Sequence, residues 1–225
     1  MSIIKRKFFH RLTLAEIIKN RKNMREDLVN KITIENLIRE AKKYKTERKS
    51  DLISYTEFLY YFQNIDEINT HNLIIGINFT YGWMPTIFDF RTDQITENIV
   101  KAVKIFNKAK KGGDLIGHEY DLLKSLLNNS LVGTTKLLHF INPEKFAIWD
   151  SRVYRYIHKE EPHDYRIGKI ENYLDYQKLL KDLVKQKDFS CFFELVNAQL
   201  DYKPTNFRAL ELIMYANGKK ETPIY

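Results

Sequence analysis

The stretch NNSLVGTTKLLHFINPEKFAIWDSRVYRYI occupies residues 128–157 and contains two short helical patterns separated by a loop. KLLHFI has apolar residues at helical spacing, and Asn142-Pro143 stops it because proline cannot continue a helix. Asp150 stands directly before SRVYRYI, where a helix N-cap residue belongs. The stretch therefore predicts two helices, with Lys136 opening the first and Asp150 opening the second.

Another helix is predicted just before this stretch. Residues 119–131, EYDLLKSLLNNSL, have helical periodicity, and VGTT follows them as a tight turn. Gly133 in this turn is expected to adopt a positive φ angle. Residues 119–158 are thus expected to form a helix-hairpin-helix followed by a loop and a third helix.

Helical patterns also dominate the rest of the chain, beginning after Thr13 and ending with TNFRALELIMYANG at residues 205–218. No run alternates between polar and apolar residues over a strand length. The sequence predicts an all-α fold, a helical globule of two packed helical subdomains within one domain, residues 1–225. Residues 42–51, KKYKTERKSD, are either a solvated connection or a DNA-binding arm.

Composition limits the classes of protein that fit. The 37 Lys and Arg against 29 Asp and Glu give a net charge of +8, which favours anionic partners, nucleic acid first. No apolar run approaches the ~18 residues of a membrane span, and no secretory signal is recognisable. We expect a cytoplasmic monomer that does not bind membranes and, in a bacterium, associates with the nucleoid.

Metal and cofactor sites are not expected. HKEEPHD at residues 158–164 gathers possible ligands, but Pro162 breaks their helical register, so a polar turn is the better interpretation. Cys191 is the single cysteine, which excludes a disulfide within the chain and a four-cysteine iron–sulfur site. Its apolar context, FSCFFEL, predicts an inert core cysteine.

Five residues in order, Gly133, Lys136, Asp150, Val153 and Arg155, give the stretch a family likeness. A lysine opening the second helix of a hairpin, followed by Asp-x-x-Val-x-Arg, resembles the helix-hairpin-helix DNA glycosylase superfamily, with the 8-oxoguanine glycosylase branches nearest. The resemblance implies a DNA glycosylase with AP-lyase activity that excises a damaged or modified base, 8-oxoguanine being the first to test. It also implies duplex DNA as the partner.

The chemistry of base excision requires such groups. An unprotonated amine attacking C1′ of the sugar forms a Schiff base, and a carboxylate stabilises the oxocarbenium character that develops there. Lys136 is the expected nucleophile and Asp150 its charge-stabilising partner. The rival interpretation is that both are ordinary charges, with Asp150 only capping its helix.

Phosphate binding is expected at the predicted hairpin. Backbone N–H groups at a helix start bind phosphate, and Gly133, Thr134 and Thr135 would supply them. Arg152 and Arg155 lie on the side of their helix away from its apolar face, which would leave them free to flank the phosphate.

A flipped base would stack on aromatic side chains. In FTYGWMPTIFDF, residues 79–90, Tyr81 and Trp83 are either such a stacking or wedging element or a core aromatic turn. His139 is a pocket residue, a general base or a core packing residue, and Phe140 is a candidate for the same pocket.

Two other functions fit the same residues. A non-catalytic DNA-binding protein would use the hairpin and the arginines for phosphate and needs only a continuous basic face. A defence protein acting on modified foreign DNA would use the glycosylase chemistry in another setting. A poorly solvated Lys136 facing Asp150 would favour an enzyme over a binding module.

Overall fold

A computed structural model describes residues 32–45, 49–84, 86–88 and 95–219, with backbone only for 49–52, 95 and 96. These ranges contain eleven helices and no strand, which confirms the predicted all-α class. The helix predicted after Thr13 lies outside the described residues. The helices are α1 (Ile34–Ala41), α2 (Lys49–Gln63), α3 (Thr70–Trp83), α4 (Ile95–Lys110), α5 (Gly117–Leu126), α6 (Leu131–Ile141), α7 (Ser151–His158), α8 (Asp164–Ile167), α9 (Ile170–Val184), α10 (Phe189–Asn197) and α11 (Asn206–Asn217).

Short polar side chains fix where several helices begin. A side-chain oxygen at the N-cap position accepts a hydrogen bond from a backbone N–H in the first turn, which has no partner within the helix. Residues of this kind precede α1, α3, α6, α7 and α11: Thr33, Asn69, Ser130, Asp150 and Thr205. The predicted cap at Asp150 is confirmed.

Helix α6 lies at the centre of the fold. It packs against α2, α3, α4 and α5, and nine of its eleven residues are buried. Val132 and Lys136 are the two that are only partly buried. A helix buried around most of its circumference belongs to the core, so Lys136 has little water around it. In the part of the chain that is described, no helix has the length and apolarity needed to cross a bilayer.

The turn between α5 and α6 lies earlier than the sequence predicts. Helix α6 begins at Leu131, so VGTT forms its first turns and the connection is Leu127–Ser130. Asn128 and Asn129 take the positive φ angles, 52° and 54°, and Gly133 is helical. The predicted turn at VGTT was wrong because Ser130 caps the helix and asparagine tolerates the left-handed region. Whether this helix pair is a phosphate-binding helix-hairpin-helix stays a prediction.

The prediction of a core cysteine was also wrong. Cys191 lies on α10 with an exposed side chain. The buried face of that helix is formed by Phe189, Phe192 and Val196, which follow the spacing of one helical stripe. Cys191 falls outside this stripe although its immediate neighbours in sequence are apolar.

Candidate active site

Lys136 and Asp150 face each other. The Nζ atom of Lys136 lies 3.7 Å from Oδ2 of Asp150, and the two side chains are only 12% and 16% exposed. The residues just before them are also bonded: the backbone N–H of Trp149 donates to the side-chain Oγ1 of Thr135 at 3.1 Å. The loop between α6 and α7 is thereby attached to α6 beside Lys136, which places Asp150 opposite the amine.

The two carboxylate oxygens of Asp150 have different tasks. Oδ1 accepts a hydrogen bond of 2.7 Å from the backbone N–H of Arg152, which caps α7. Oδ2 is the oxygen that faces Lys136. Asp150 is therefore a cap and also the negative charge beside the amine, so the two interpretations of this residue are not exclusive.

Burial lowers the pKa of the Lys136 amine, and the charge of Asp150 opposes that shift. Removing an ammonium group from water disfavours its charged form. The same Nζ atom lies 5.4 Å from the centroid of the Trp83 ring. Lys136 is thus a poorly solvated amine with one close carboxylate, and it loses its proton more readily than a solvated lysine.

A second charged pair lies nearby on α11. The Nη1 atom of Arg208 donates a hydrogen bond to Oε2 of Glu211, and the side chains are 7% and 3% exposed. Both charges act on Lys136, Glu211 favouring the protonated amine and Arg208 disfavouring it. Lys136, Asp150, Arg208 and Glu211 are called the charged cluster below.

His139 is buried beside the cluster. Its Nδ1 atom lies 2.7 Å from the carbonyl oxygen of Phe146, and its Nε2 lies 2.9 Å from the hydroxyl of Tyr55. Because a carbonyl only accepts, Nδ1 carries the proton and Nε2 accepts from Tyr55. Burial lowers the pKa of His139 to about 3. The ring is a neutral packing residue with both nitrogens occupied, so neither is available as a general base.

The aromatic segment after residue 79 divides into two environments. Tyr81 is buried and donates a hydrogen bond of 2.6 Å to the carbonyl of Leu127, as a core residue does. Trp83 is half-buried, with its ring 5.3 Å from that of Phe140 and facing the Lys136 amine. Phe140 itself is fully buried. Of these residues, Trp83 has both partial exposure and a place beside the charged cluster.

Gly133, Thr134 and Thr135 have structural contacts in the first turns of α6. The N–H of Gly133 donates to Oγ of Ser130 at 3.0 Å, and that of Thr134 donates to the Ser130 carbonyl at 3.0 Å. Thr134 and Thr135 have no exposed surface. A Cβ atom on Gly133 would lie 2.9 Å from the Tyr81 hydroxyl, so the glycine permits close approach of α3. Their role in phosphate binding stays a prediction.

Arg152 and Arg155 pack against the end of α11. Arg155 donates from Nη1 to the carbonyl of Gly218 at 2.9 Å and lies 3.5 Å from Glu161. The guanidinium of Arg152 lies 4.6 Å from the centroid of the Tyr215 ring. The expectation that both arginines are free was wrong. A carbonyl at the end of α11 attracts the Arg155 cation, and the face of an aromatic ring attracts that of Arg152. Phosphate binding by these residues would compete with these contacts.

No family model, curated protein or solved structure matches this chain. What the site can do chemically therefore follows from its own residues. They supply a poorly solvated amine and a carboxylate, which suit attack on an electrophilic carbon. In the described ranges, no three His, Cys, Asp or Glu side chains come together as metal ligands.

Sequence reasoning missed the contribution of α11. Arg208 and Glu211 are far from Lys136 in sequence, and only packing of α11 against α7 and α9 brings them to the cluster. A signal was present, since RALELIM places an Arg and a Glu at helical spacing within an otherwise apolar helix. Charged residues in such a setting are seldom fully buried unless paired.

The exposure of Ile87 is a second feature that the sequence did not predict. It is 90% exposed, in the short segment after α3, and the side-chain amide of Asn128 donates to its carbonyl at 3.2 Å. The neighbouring Phe88 packs on Tyr81 with ring centroids 4.6 Å apart. An exposed aliphatic side chain is therefore held at the turn between α5 and α6.

Proposed function

We propose that this chain is a DNA glycosylase with AP-lyase activity, in which Lys136 is the nucleophile and Asp150 stabilises the reacting sugar. The observation that carries the proposal is the pairing of a largely buried Lys136 with Asp150 at 3.7 Å. A lysine that only binds phosphate gains from being solvated and needs no carboxylate beside it. A lysine that forms a Schiff base needs a lowered pKa and an acceptor for its proton.

The reaction follows from these two groups. The neutral Lys136 amine forms a bond to C1′ of the deoxyribose, and the C1′–N bond to the base breaks, the base leaving with the electron pair and taking up a proton. The carboxylate of Asp150 stabilises the positive charge that develops on the sugar. The sugar ring opens as the C1′–O4′ bond breaks, and O4′ takes up the proton that the nitrogen loses, which leaves the Schiff base. Loss of a proton from C2′ then expels the 3′ phosphate by β-elimination.

The identity of the base is a separate part of the proposal. 8-Oxoguanine is the first base to test because the resemblance points to it, and Trp83 beside Lys136 offers a face for stacking. An abasic site bypasses base recognition, since its sugar already presents an electrophilic C1′. The two substrates therefore test the chemistry and the specificity independently.

Borohydride trapping tests the nucleophile. Wild-type protein is incubated with duplexes carrying an abasic site or 8-oxoguanine, and the Schiff base is reduced to a stable amine that crosslinks protein and DNA. We expect a crosslink with wild type and none with Lys136→Met. Peptide mapping of the wild-type adduct should place the DNA on Lys136.

The chain offers a matched control in Lys124. Its Nζ lies 3.8 Å from Asp121 and its side chain is 14% exposed, close to the values for Lys136. Lys124→Met should leave trapping unchanged. If both variants lose the crosslink equally, the substitutions act by destabilising the fold. If no crosslink forms on the abasic duplex while DNA still binds, the protein is a non-catalytic DNA-binding module instead.

A further inference from the structure

We propose that the buried pair of Arg208 and Glu211 on α11, joined through Tyr55 to the helix that carries Lys136, is a positioning pair that sets the protonation of the Lys136 amine. Its consequence for catalysis rests on the proposed function. Its effect on Lys136 is a property of the folded protein and can be measured without any substrate.

The position of Arg208 is fixed from several sides. Its guanidinium lies 4.4 Å from the centroid of the Tyr55 ring, and Nε donates to the hydroxyl of Tyr202 at 3.4 Å. A hydrogen bond to Glu211 completes the arrangement. Tyr55 is also the hydroxyl donor to His139 on α6. Arg208 is thus linked through a single tyrosine to the helix that carries Lys136.

Stability alone is a poor explanation for this pair. Taking two charges out of water costs several kcal/mol per ion, and apolar residues of similar volume often serve a fold as well or better. Arg208 and Glu211 are almost fully buried in an otherwise apolar part of α11. A contribution to stability does not account for this pair, so its effect on the neighbouring Lys136 is the property to test.

Further polar groups converge on the same place. The hydroxyl of Tyr176 on α9 is buried with no hydrogen-bond partner among the described residues, and the charges of Glu211, Arg208 and Asp150 all act on it. The titratable and charged groups of this region come from five helices or the segments just before them. They are His139 on α6, Asp150 before α7, Tyr55 on α2, Tyr176 on α9, Tyr202 before α11, and Arg208 and Glu211 on α11. Of these groups, Asp150, Arg208 and Glu211 act on Lys136.

The signs of the two effects make the proposal testable. Glu211 favours the protonated amine of Lys136, and Arg208 disfavours it. Removing Glu211 should lower the pKa of Lys136, whereas removing Arg208 should raise it. A pair that only supports the fold would affect stability in both variants without shifting Lys136 in opposite directions.

The experiment uses the whole chain of 225 residues, labelled with ¹³C at Cε of lysine. The Lys136 signal is assigned by its loss in Lys136→Met, and its pH midpoint is read from the chemical shift. We expect Glu211→Gln to lower the midpoint by at least about half a pH unit and Arg208→Gln to raise it by a similar amount. Glu194→Gln is the control, because it removes an exposed carboxylate on α10. It should leave the Lys136 midpoint unchanged.

The double variant, Arg208→Gln with Glu211→Gln, covers the case in which a single variant does not fold. It leaves no unpaired buried charge, and Glu211 acts on Lys136 more strongly than Arg208 does. We therefore expect a smaller downward shift of the midpoint. Two results would overturn the proposal. In the first, the single variants shift the Lys136 midpoint in the same direction or not at all. In the second, the midpoint of the double variant is at or above that of wild type.

Trapping on the abasic duplex, measured against pH, gives the second readout. The rate should rise at lower pH in Glu211→Gln and at higher pH in Arg208→Gln, because only the neutral amine attacks. If the Lys136 midpoints shift in opposite directions but no crosslink forms, the positioning role is supported and the glycosylase function is rejected. Trapping without opposite shifts would reject the positioning pair alone.

Discussion

Asp150 places one carboxylate oxygen on the backbone N–H of Arg152 and turns the other towards Lys136. The first contact belongs to the helix cap and the second to the candidate chemistry. A single side chain thereby fixes the start of α7 and the charge beside the amine. The two contributions can be separated, because asparagine caps a helix about as well as aspartate but carries no charge.

Asp150→Asn should keep the cap of α7 and lose most trapping. We expect the trapping rate to fall about 100-fold and the free energy of unfolding to fall by about 1 to 2 kcal/mol, because Lys136 loses the charge that faces it. Asp150→Ala removes the cap as well and should cost about 1 kcal/mol more. Urea denaturation and single-turnover trapping measure the two effects. If Asp150→Asn is trapped at the wild-type rate, the carboxylate has no part in the mechanism.

Local sequence rules predicted the parts of the site that depend on one turn of chain. Asp150 was predicted as a cap because it is a polar residue directly before an apolar helical pattern. The structure has that cap. The boundary of α6 was misplaced because GTT is typical of a turn, whereas Ser130 satisfies the first N–H groups and allows the helix to begin earlier. Competing caps a few residues apart are difficult to rank from sequence.

The rest of the site depends on packing between distant helices. Nothing in the spacing of Arg208 and Glu211 indicates that α11 brings them to Lys136. The exposure of Cys191 and the burial of His139 are likewise decided by which face of a helix meets its neighbours. Periodicity identifies an apolar face but not the partner that covers it.

Gly133→Ala should reveal the close approach of α3 to α6. The added Cβ would lie 2.9 Å from the Tyr81 hydroxyl, which is itself held by the Leu127 carbonyl. We expect a loss of about 1 to 3 kcal/mol in unfolding free energy. In a Tyr81→Phe background the hydroxyl is gone, and the nearest remaining atom is a ring carbon at 3.3 Å. Because alanine also favours the helix, the same substitution should cost clearly less in that background. Equal costs in both backgrounds would show that the Tyr81 hydroxyl is not the obstacle.

Ile87→Ala should weaken duplex binding without weakening the fold. Its side chain is 90% exposed, so the unfolding free energy should change by less than about 0.5 kcal/mol. If Ile87 enters the duplex beside the flipped base, losing its aliphatic surface should reduce affinity for an abasic duplex about tenfold. Ile53→Ala, on α2 and 67% exposed, is the matched control. Fluorescence anisotropy with equal affinities for the two variants would place Ile87 outside the DNA interface.

His139 should make the fold sensitive to acid. Burial lowers its pKa to about 3 in the folded protein, against about 6.5 in an unfolded chain. Between these values the unfolded state binds more protons, so stability is fully present above pH ~6.5 and is lost as the pH falls towards 3. From pH 6.5 to 5 the loss attributable to His139 should be about 1.5 kcal/mol.

His139→Gln removes this titration while keeping a donor for the Phe146 carbonyl and an acceptor for the Tyr55 hydroxyl. Between pH 6.5 and pH 5, urea denaturation should show a loss of unfolding free energy that is larger in wild type than in the variant by about 1.5 kcal/mol. Carboxylates that titrate in both proteins cancel in this difference. If wild type and His139→Gln lose the same unfolding free energy, His139 becomes protonated within the folded state. Its two buried hydrogen bonds oppose that protonation.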